Sequence, residues 1–146
     1  MARNKRRVGG IFENEIFCAM SLINLIPEAR SILTSNSSVT AQVAANKISF
    51  AQRPQGDQLP GITIDVGTVE YEPTTQSPNA ATVYRVDYRI FSNKAESAAT
   101  IHEAVKAAII NYSSSTFLIR LFDENYFVDV DLIHRTTISV TFEISE

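Results

Sequence analysis

The fold is decided by residues 82–112, which are TVYRVDYRIFSNKAESAATIHEAVKAAIINY. In the first part of this stretch, apolar and charged side chains alternate, with Tyr84, Val86, Tyr88 and Ile90 on one side and Arg85, Asp87 and Arg89 on the other. Successive side chains of a strand point to opposite faces. The alternation therefore predicts a strand that buries one face against a core.

The second part of the stretch has the helical period. Its apolar residues recur at steps of three and four: Ala98, Ile101, Val105, Ala108, Ile109 and Tyr112. This spacing predicts an amphipathic helix over about residues 94–112. We expect Asn93 to cap it, with Glu96 three positions later as in a capping box. Because the helix follows the strand at once, it should lie across the same sheet.

The remaining elements are predicted from similar patterns. A helix is expected over Ile11–Ile26, and Pro27 should end or kink it because proline lacks an N–H. Alternating or apolar runs predict further strands at Lys47–Ala51, Gly61–Tyr71, Phe117–Phe122, Tyr126–Leu132 and Ile138–Ile144. This order predicts an α+β fold, a mostly antiparallel sheet flanked by an N-terminal and a central helix. We expect a flexible basic arm over residues 1–10 and one domain over residues 11–146.

The composition is that of a globular protein. Of the 146 residues, 45% are hydrophobic and 20% are charged, which is ordinary for such a domain. The sequence has no run of eighteen apolar residues, so we expect no membrane span, and no continuous apolar segment suits a secretory signal. The single cysteine, Cys18, cannot form an intramolecular disulfide. The net charge of -3 argues against a dedicated nucleic-acid binder.

Three surfaces are candidates for contacts. The basic residues of the arm, interpreted either as a solvated terminus or as a contact for DNA or a partner, are Arg3, Lys5, Arg6 and Arg7. The charged residues of the central strand, interpreted either as a solvated face with partly paired charges or as a subunit contact or channel lining, are Arg85, Asp87 and Arg89. The sequence leaves both pairs of interpretations open.

The third candidate surface is the segment Glu72–Ala81, which contains two prolines and several small polar residues. It is longer than a tight hairpin turn, so we expect it to project as a flexible finger between two antiparallel strands. The residues predicted to contact a neighbour there are Glu72, Thr74, Thr75, Gln76 and Asn79.

Catalytic and metal chemistry has little support in the sequence. His102 is expected to be a packed or interfacial histidine, while His134 is a possible general base without a G-x-S-x-G nucleophile motif. The pairs Asp123-Glu124 and Asp129-x-Asp131 would suit a hard cation, but they also suit a solvated edge that discourages aggregation. No phosphate-binding glycine motif is found. We therefore predict no catalytic, cofactor-binding or metal-binding residue.

The order of these elements resembles the tail-terminator, or tail-completion, proteins of long-tailed bacteriophages. The resemblance covers nearly the whole chain and rests on patterns of residue class in four segments: Ile48–Pro54 with Leu59-Pro60, Ile62–Val66, Tyr84–Phe91 leading into Ala95–Ala99, and Arg135–Phe142. The family has no fixed functional residues to carry over. The basic arm lies outside the pattern.

The resemblance implies a structural role. Such a protein would form a ring, usually a hexamer, that caps the tail tube and joins it to the neck or head connector. It would have no enzymatic activity and no cofactor. Its partners would be copies of itself, the tail tube protein and the connector, with passing contact with genomic DNA and none with a membrane. It would be assembled in the host cytoplasm and lie at the head–tail junction of the virion.

Three other functions stay open at this point. The protein could be a head-completion or connector ring, one ring closer to the capsid. It could be a small module that binds nucleic acid through its basic arm, in which case binding should be sensitive to salt. The third alternative is a small hydrolase that uses His134.

Overall fold

The computed structural model describes residues 23–50, 59–72, 81–129 and 132–145. They form the predicted α+β fold, in which helices pack on one five-stranded, mostly antiparallel sheet. The elements are α1 (residues 23–34), α2 (Ser37–Thr40), a 3-10 turn (Ala45–Lys47), β1 (Ile48–Ser49), β2 (Gly61–Glu72), β3 (Ala81–Ser92), α3 (Ala95–Ile110), β4 (Leu118–Val128) and β5 (His134–Ser145).

The strand order of the sheet is β1-β2-β3-β5-β4. All neighbouring strands are antiparallel except the two-residue β1, which runs parallel to β2. β5 pairs with β3 along its whole length, from Ala81 opposite Ser145 to Ser92 opposite His134. The last strand of the chain therefore lies inside the sheet, and β4 lies at its edge.

The two faces of β3 differ as predicted. Tyr84, Val86, Tyr88 and Ile90 are buried in the core, whereas Arg85 is exposed and Asp87 and Arg89 are half-buried on the opposite face. The neighbouring strands contribute Ile62, Ile64, Ile138, Val140 and Phe142 to the same core. Each such side chain contributes about 1.5–3 kcal/mol when it is fully buried. The core thus lies between the sheet and the helices.

Helix α3 covers this core with the predicted stripe. Ala98, Ile101, Val105, Ala108 and Ile109 are buried. The prediction that Asn93 caps the helix is wrong, because the residue at the N-cap is Lys94, whose side chain makes no capping hydrogen bond. Instead, the Lys94 N–H donates to Ser92 Oγ at 3.2 Å. The side chain at the end of β3 therefore shapes the turn, and the helix begins one residue later than a cap at Asn93 requires.

Helix α1 continues through Pro27 and does not end there. Pro27 is exposed, and the carbonyl left without its i+4 donor belongs to Ile23, an exposed residue whose carbonyl can bond to water. Arg30 fastens the helix to the chain that follows, since its Nε donates to Ile48 O and its Nη2 to Ala45 O, both at 2.8 Å. The first part of the predicted helix, over residues 11–22, lies outside the described residues.

β4 is one continuous strand where two were predicted. Its pairing with β5 shifts between Leu121 and Asp123, so Phe122 is an extra residue in the ladder. A bulge of this kind reverses the alternation. Leu121 lies opposite Val140 and Glu124 opposite Ile138, both on the core side, although they are three residues apart. Because the alternation of side chains between the two faces reverses at the bulge, the sequence pattern suggested a break at residues 123–125.

A buried hydroxyl joins α1 to the sheet. The Tyr88 O–H donates to Ala29 O at 2.8 Å, and both residues are fully buried. Burial, followed by the neighbouring Tyr112 and Glu28, raises the pKa of Tyr88 above its ordinary value. Because the pKa in the folded state is the higher one, this contribution to stability is complete below the unfolded pKa and is lost as the pH rises.

We expect Tyr88→Phe to lower the free energy of unfolding by about 1–2 kcal/mol at neutral pH, because the Ala29 carbonyl loses a buried partner. The variant should also lose less stability between pH 8 and pH 11 than the wild type. Urea denaturation at several pH values measures both effects. Tyr112→Phe, which removes a partly exposed bond to Glu28 Oε2, is the comparison and should cost less. Equal losses in the two variants would contradict the assignment.

Candidate functional site

The predicted strand charges form a connected row on the sheet face opposite the helices. This charged row consists of Asp65, Arg85, Asp87 and Arg89. Arg89 forms an ion pair with Asp65 through Nη1, and its Nη2 lies 3.7 Å from Asp87 Oδ2. Arg85 Nε donates to Asp87 Oδ1 at 3.4 Å. The two arginines therefore share the central carboxylate of Asp87.

Small hydroxyl residues support the charged row. Ser139 is buried on β5 and donates from Oγ to Asp87 Oδ1 at 2.8 Å. Thr63 on β2 and Thr137 on β5 are also buried on this face, where they flank Arg89 in the register. Asp87 is thus held from β5 while Arg89 is held from β2. The row crosses three strands and has a fixed arrangement.

The charged row has no net charge, because two arginines lie against two aspartates. Exposed ion pairs add little stability, about 0–1 kcal/mol each, so their main effect is to order the surface. A face that binds nucleic acid would carry an excess of basic residues. The charges are partly paired, as one of the two interpretations supposed, and their role in a subunit contact stays a prediction.

A second surface, which the sequence analysis missed, lies along β4. Among the described residues, ten large apolar side chains are well exposed, and six of them fall between residues 118 and 132. We call this set the β4 edge: Leu118, Phe122, Tyr126, Phe127, Val128 and Leu132. Scattered exposed apolar residues are normal, but five of these six lie on the edge strand and the sixth in the turn after it, which makes this edge a candidate interaction surface. The available signal was the run of aromatic residues on both sides of Asp123-Glu124-Asn125.

Two arginines pack on aromatic rings of the β4 edge: Arg85 of the charged row and Arg135 of β5. The Arg85 guanidinium lies 5.0 Å from the centre of the Phe122 ring. The Arg135 guanidinium lies 4.9 Å from the centre of the Phe127 ring. Both separations suit cation–π contact. Each ring remains half exposed, so its outer part is available for a partner.

A cleft of about 300 Å³ opens between α3 and β4. Its lining is Ala99, His102 and Glu103 from α3, Glu124, Asn125 and Tyr126 from β4, and Thr136 from β5. Two polar atoms of this lining, His102 Nδ1 and Thr136 Oγ1, are buried and have no hydrogen-bond partner in the described part of the chain. Both atoms are enclosed by the protein, so they lie behind the surface of the cleft and are not exposed in it.

His102 is packed, as predicted, but its ring also takes part in an ion network. Its Nε2 lies 2.8 Å from Glu124 Oε1, and Lys106 Nζ lies 3.1 Å from Glu124 Oε2. Hydrogen bonds from His102 and then Lys106 lower the pKa of Glu124. The carboxylate is partly exposed and holds two residues of α3 against β4.

The lowered pKa of Glu124 gives an expected pH dependence. Its contribution to stability is complete above the unfolded pKa and is lost as the pH falls through the lower folded value. Glu124→Gln should therefore be less stable than the wild type at pH 7 and should lose less stability on acidification. Urea denaturation at pH 7 and pH 3 measures this. The control Glu103→Gln changes a neighbouring exposed residue of α3, and identical behaviour of the two variants would refute the network.

The remaining candidates are His134, the possible metal ligands, and the residues of the basic arm and of the segment Glu72–Ala81. His134 Nδ1 lies 2.5 Å from Tyr126 Oη, and the two rings are stacked. The described residues contain no group of three or more His, Cys, Asp or Glu side chains that could hold a metal ion. They also contain no helix long and apolar enough to span a membrane. Outside the described residues lie Arg3, Lys5, Arg6, Arg7, Thr74, Thr75, Gln76, Asn79 and Asp131.

Comparison with known proteins adds a likeness of fold. No protein-family model matches the chain, and no curated protein matches it by sequence. Among solved structures, the chain is similar to one in "Virion of native gene transfer agent (GTA) particle". The match has a TM-score of 0.58 and 13% sequence identity, and it covers 80% of this chain and 90% of that chain. At this identity the likeness shows a shared fold.

Proposed function

We propose that this protein is a structural component of a phage-like virion that caps the tail tube as a ring and joins it to the neck connector. The observation that carries the proposal is the match of fold to a chain of a gene transfer agent virion, nine-tenths of which is covered. The resemblance of the sequence to phage tail terminators supports the same role. The protein acts by shape and edge complementarity and is not an enzyme.

The two candidate surfaces suit a ring subunit. The β4 edge offers apolar area to a protein neighbour, and the charged row offers an ordered, neutral face. If that face lines the ring, genomic DNA can pass, because phosphates are held mainly by excess basic charge. The segment over residues 72–81 and the basic arm are the proposed contacts with the tail tube and the connector. We expect six copies in the ring.

Electron microscopy of the purified protein bound to isolated tails tests this proposal. Tails prepared without the protein are mixed with the purified protein. They should then show an additional ring at the head-proximal end, in the position expected between tail tube and connector. A ring that forms on DNA-filled, tailless heads and leaves tails bare would favour the connector alternative. Binding to neither particle would refute a role at the head–tail junction.

The nucleic-acid alternative has its own measurement. A salt-sensitive shift of duplex DNA that disappears when residues 1–7 are removed would support a binding function of the arm. The charged row has no net charge, so we expect the chain without residues 1–7 to bind DNA no better than an ordinary acidic protein. Salt-sensitive binding that survives the truncation would show that the charged row is not neutral toward phosphate.

A further inference from the structure

We propose that copies of this chain join through their sheets, with the β4 edge of one copy paired antiparallel to the outer side of β2 in the next. The inference deepens the proposed function, because it assumes the ring and assigns its subunit contact. Strands at sheet edges carry unpaired N–H and C=O groups that another strand can bind. In this proposal, the partner that binds the β4 edge is a second copy of the same chain.

Within the described residues, β4 and most of the outer side of β2 have no strand beside them. Among the described residues, β4 pairs on one side only, along Leu118–Val128. On the outer side of β2, β1 pairs with Ile62 and Thr63, and the described part of the chain places no strand beside residues 64–72. At about 3.3 Å per residue, the stretch of β4 is about 36 Å long and that of β2 about 30 Å.

The directions of the strands fit a closed ring. β2 is antiparallel to β3, β3 to β5 and β5 to β4, so β2 and β4 run in opposite directions. A rotation that places β4 of one copy beside β2 of the next therefore makes an antiparallel pair, which is the more stable kind. The contact uses two different surfaces, as a heterologous interface that closes on rotation requires.

The apolar area of the β4 edge favours a protein neighbour. Its six large side chains are between 38% and 73% exposed. At about 100 Å² each, roughly half the area that a buried aromatic residue removes from solvent, they offer on the order of 600 Å². A standard interface buries about 800 Å² per partner. The edge thus supplies more than half of a stable subunit contact before backbone pairing is counted.

The hairpin between β4 and β5 adds an apolar projection. Leu132 is 73% exposed and has a φ of 64°, in the left-handed region that costs residues with a side chain. Backbone bonds from Leu132 N to Asp129 O and from Asp129 N to Ile133 O close the turn, both at 2.9 Å. The exposed side chain of Leu132 is therefore held in a fixed position, where it is available for contact with the neighbouring copy.

The cleft beside β4 is covered by the same contact. Glu124, Asn125 and Tyr126 line the cleft and belong to the edge strand, so a strand added along β4 would extend over its mouth. The neighbouring copy would then close a recess that is open in the monomer.

Cysteine cross-linking in a Cys18→Ser background tests the pairing. Gly67→Cys on β2 is suitable because its Cβ would meet only the Arg85 carbonyl oxygen, at 3.7 Å. It is combined in turn with Arg120→Cys, Asp123→Cys and Asn125→Cys on β4, and with Ala107→Cys on the exposed side of α3 as control. We expect oxidation to give a ladder of covalent oligomers for at least one β4 position and none for Ala107.

Two matched substitutions test the apolar contact. Phe127→Gln and Ile110→Gln replace residues of similar exposure, 50% and 59%, on β4 and on α3. Ring formation should weaken about tenfold for Phe127→Gln and remain unchanged for Ile110→Gln. Leu132→Asn should keep or raise the melting temperature, because asparagine tolerates the left-handed region, and should still weaken ring formation.

The outcomes separate this inference from the proposed function. Rings on tails without any β4 cross-link, or equal weakening by Phe127→Gln and Ile110→Gln, would overturn the edge pairing and leave the tail cap standing. A β4 cross-link in the concentrated free protein, together with failure to bind tails, would support the pairing and overturn the tail cap. Neither rings nor cross-links would overturn both.

Discussion

A variant in which residues 73–80 are replaced by an Asn-Gly turn is expected to fold normally and to fail in assembly on purified tails. The register places Glu72 directly opposite Ala81, so a two-residue turn can close the β2–β3 hairpin at that point. The removed segment lies outside the described residues and contains the predicted contacts Thr74, Thr75, Gln76 and Asn79. The free energy of unfolding should change by less than about 1 kcal/mol, since long surface loops contribute little to stability.

Circular dichroism and urea denaturation would verify the fold, and electron microscopy would count capped tails. A second variant with eight Gly and Ser residues keeps the length of the segment and removes its side chains. If neither variant caps tails, the contact depends on the side chains of the segment. If only the turn variant fails to cap tails, the contact depends on the length of the segment. Capping by the turn variant at the wild-type level would rule the segment out as a contact.

Phe142→Ala should have the largest effect on stability, a loss of about 3–5 kcal/mol. Phe142 is fully buried at the middle of the sheet, on the strand between β3 and β4. Its ring packs edge-on against Phe117 at a centroid distance of 5.6 Å, and Phe117 packs in the same way against Tyr84 at 6.4 Å. Alanine would leave a cavity bordered by both strands and by the segment that follows α3.

Because domains of this size are stable by about 5–15 kcal/mol, such a loss would bring the midpoint of urea denaturation close to zero denaturant. Phe122→Ala is the matched control, since its ring is half exposed and touches Arg85. It should cost about 1 kcal/mol or less. Similar losses in the two variants would mean that Phe142 does not hold the core as its burial indicates.

The central strand and helix could be predicted because their patterns are uninterrupted. Tyr84 to Ile90 keeps strict alternation, and Ala98 to Ile109 keeps the helical period. The prediction for β4 was wrong because the extra residue Phe122 reverses the alternation within one strand. The capping prediction was wrong because a side chain from the preceding strand took the place of the expected cap. Such local irregularities leave little trace in residue class.

The β4 edge could not be predicted, because exposure at a sheet edge depends on strand order. The chain reaches β5 last, yet β5 lies between β3 and β4 and leaves β4 outermost. No local pattern of apolar residues encodes that insertion. The ion pairing within the charged row, in contrast, agrees with the spacing of Arg85, Asp87 and Arg89 in the sequence, to which β2 and β5 add Asp65 and Ser139.

The bulges of the sheet have a consequence for the accuracy of assembly. The register of β2 with β3 shifts between Val66 and Val69, and the register of β4 with β5 shifts between Leu121 and Asp123. The two shifts lie on opposite sides of the cross-strand position of Val86. A bulge bends its strand and increases the local twist. Two copies that meet with these edges would therefore fit best in the alignment that matches both bends. The shape of the backbone would then limit which strands can pair with the subunit, in addition to the side chains on its surface.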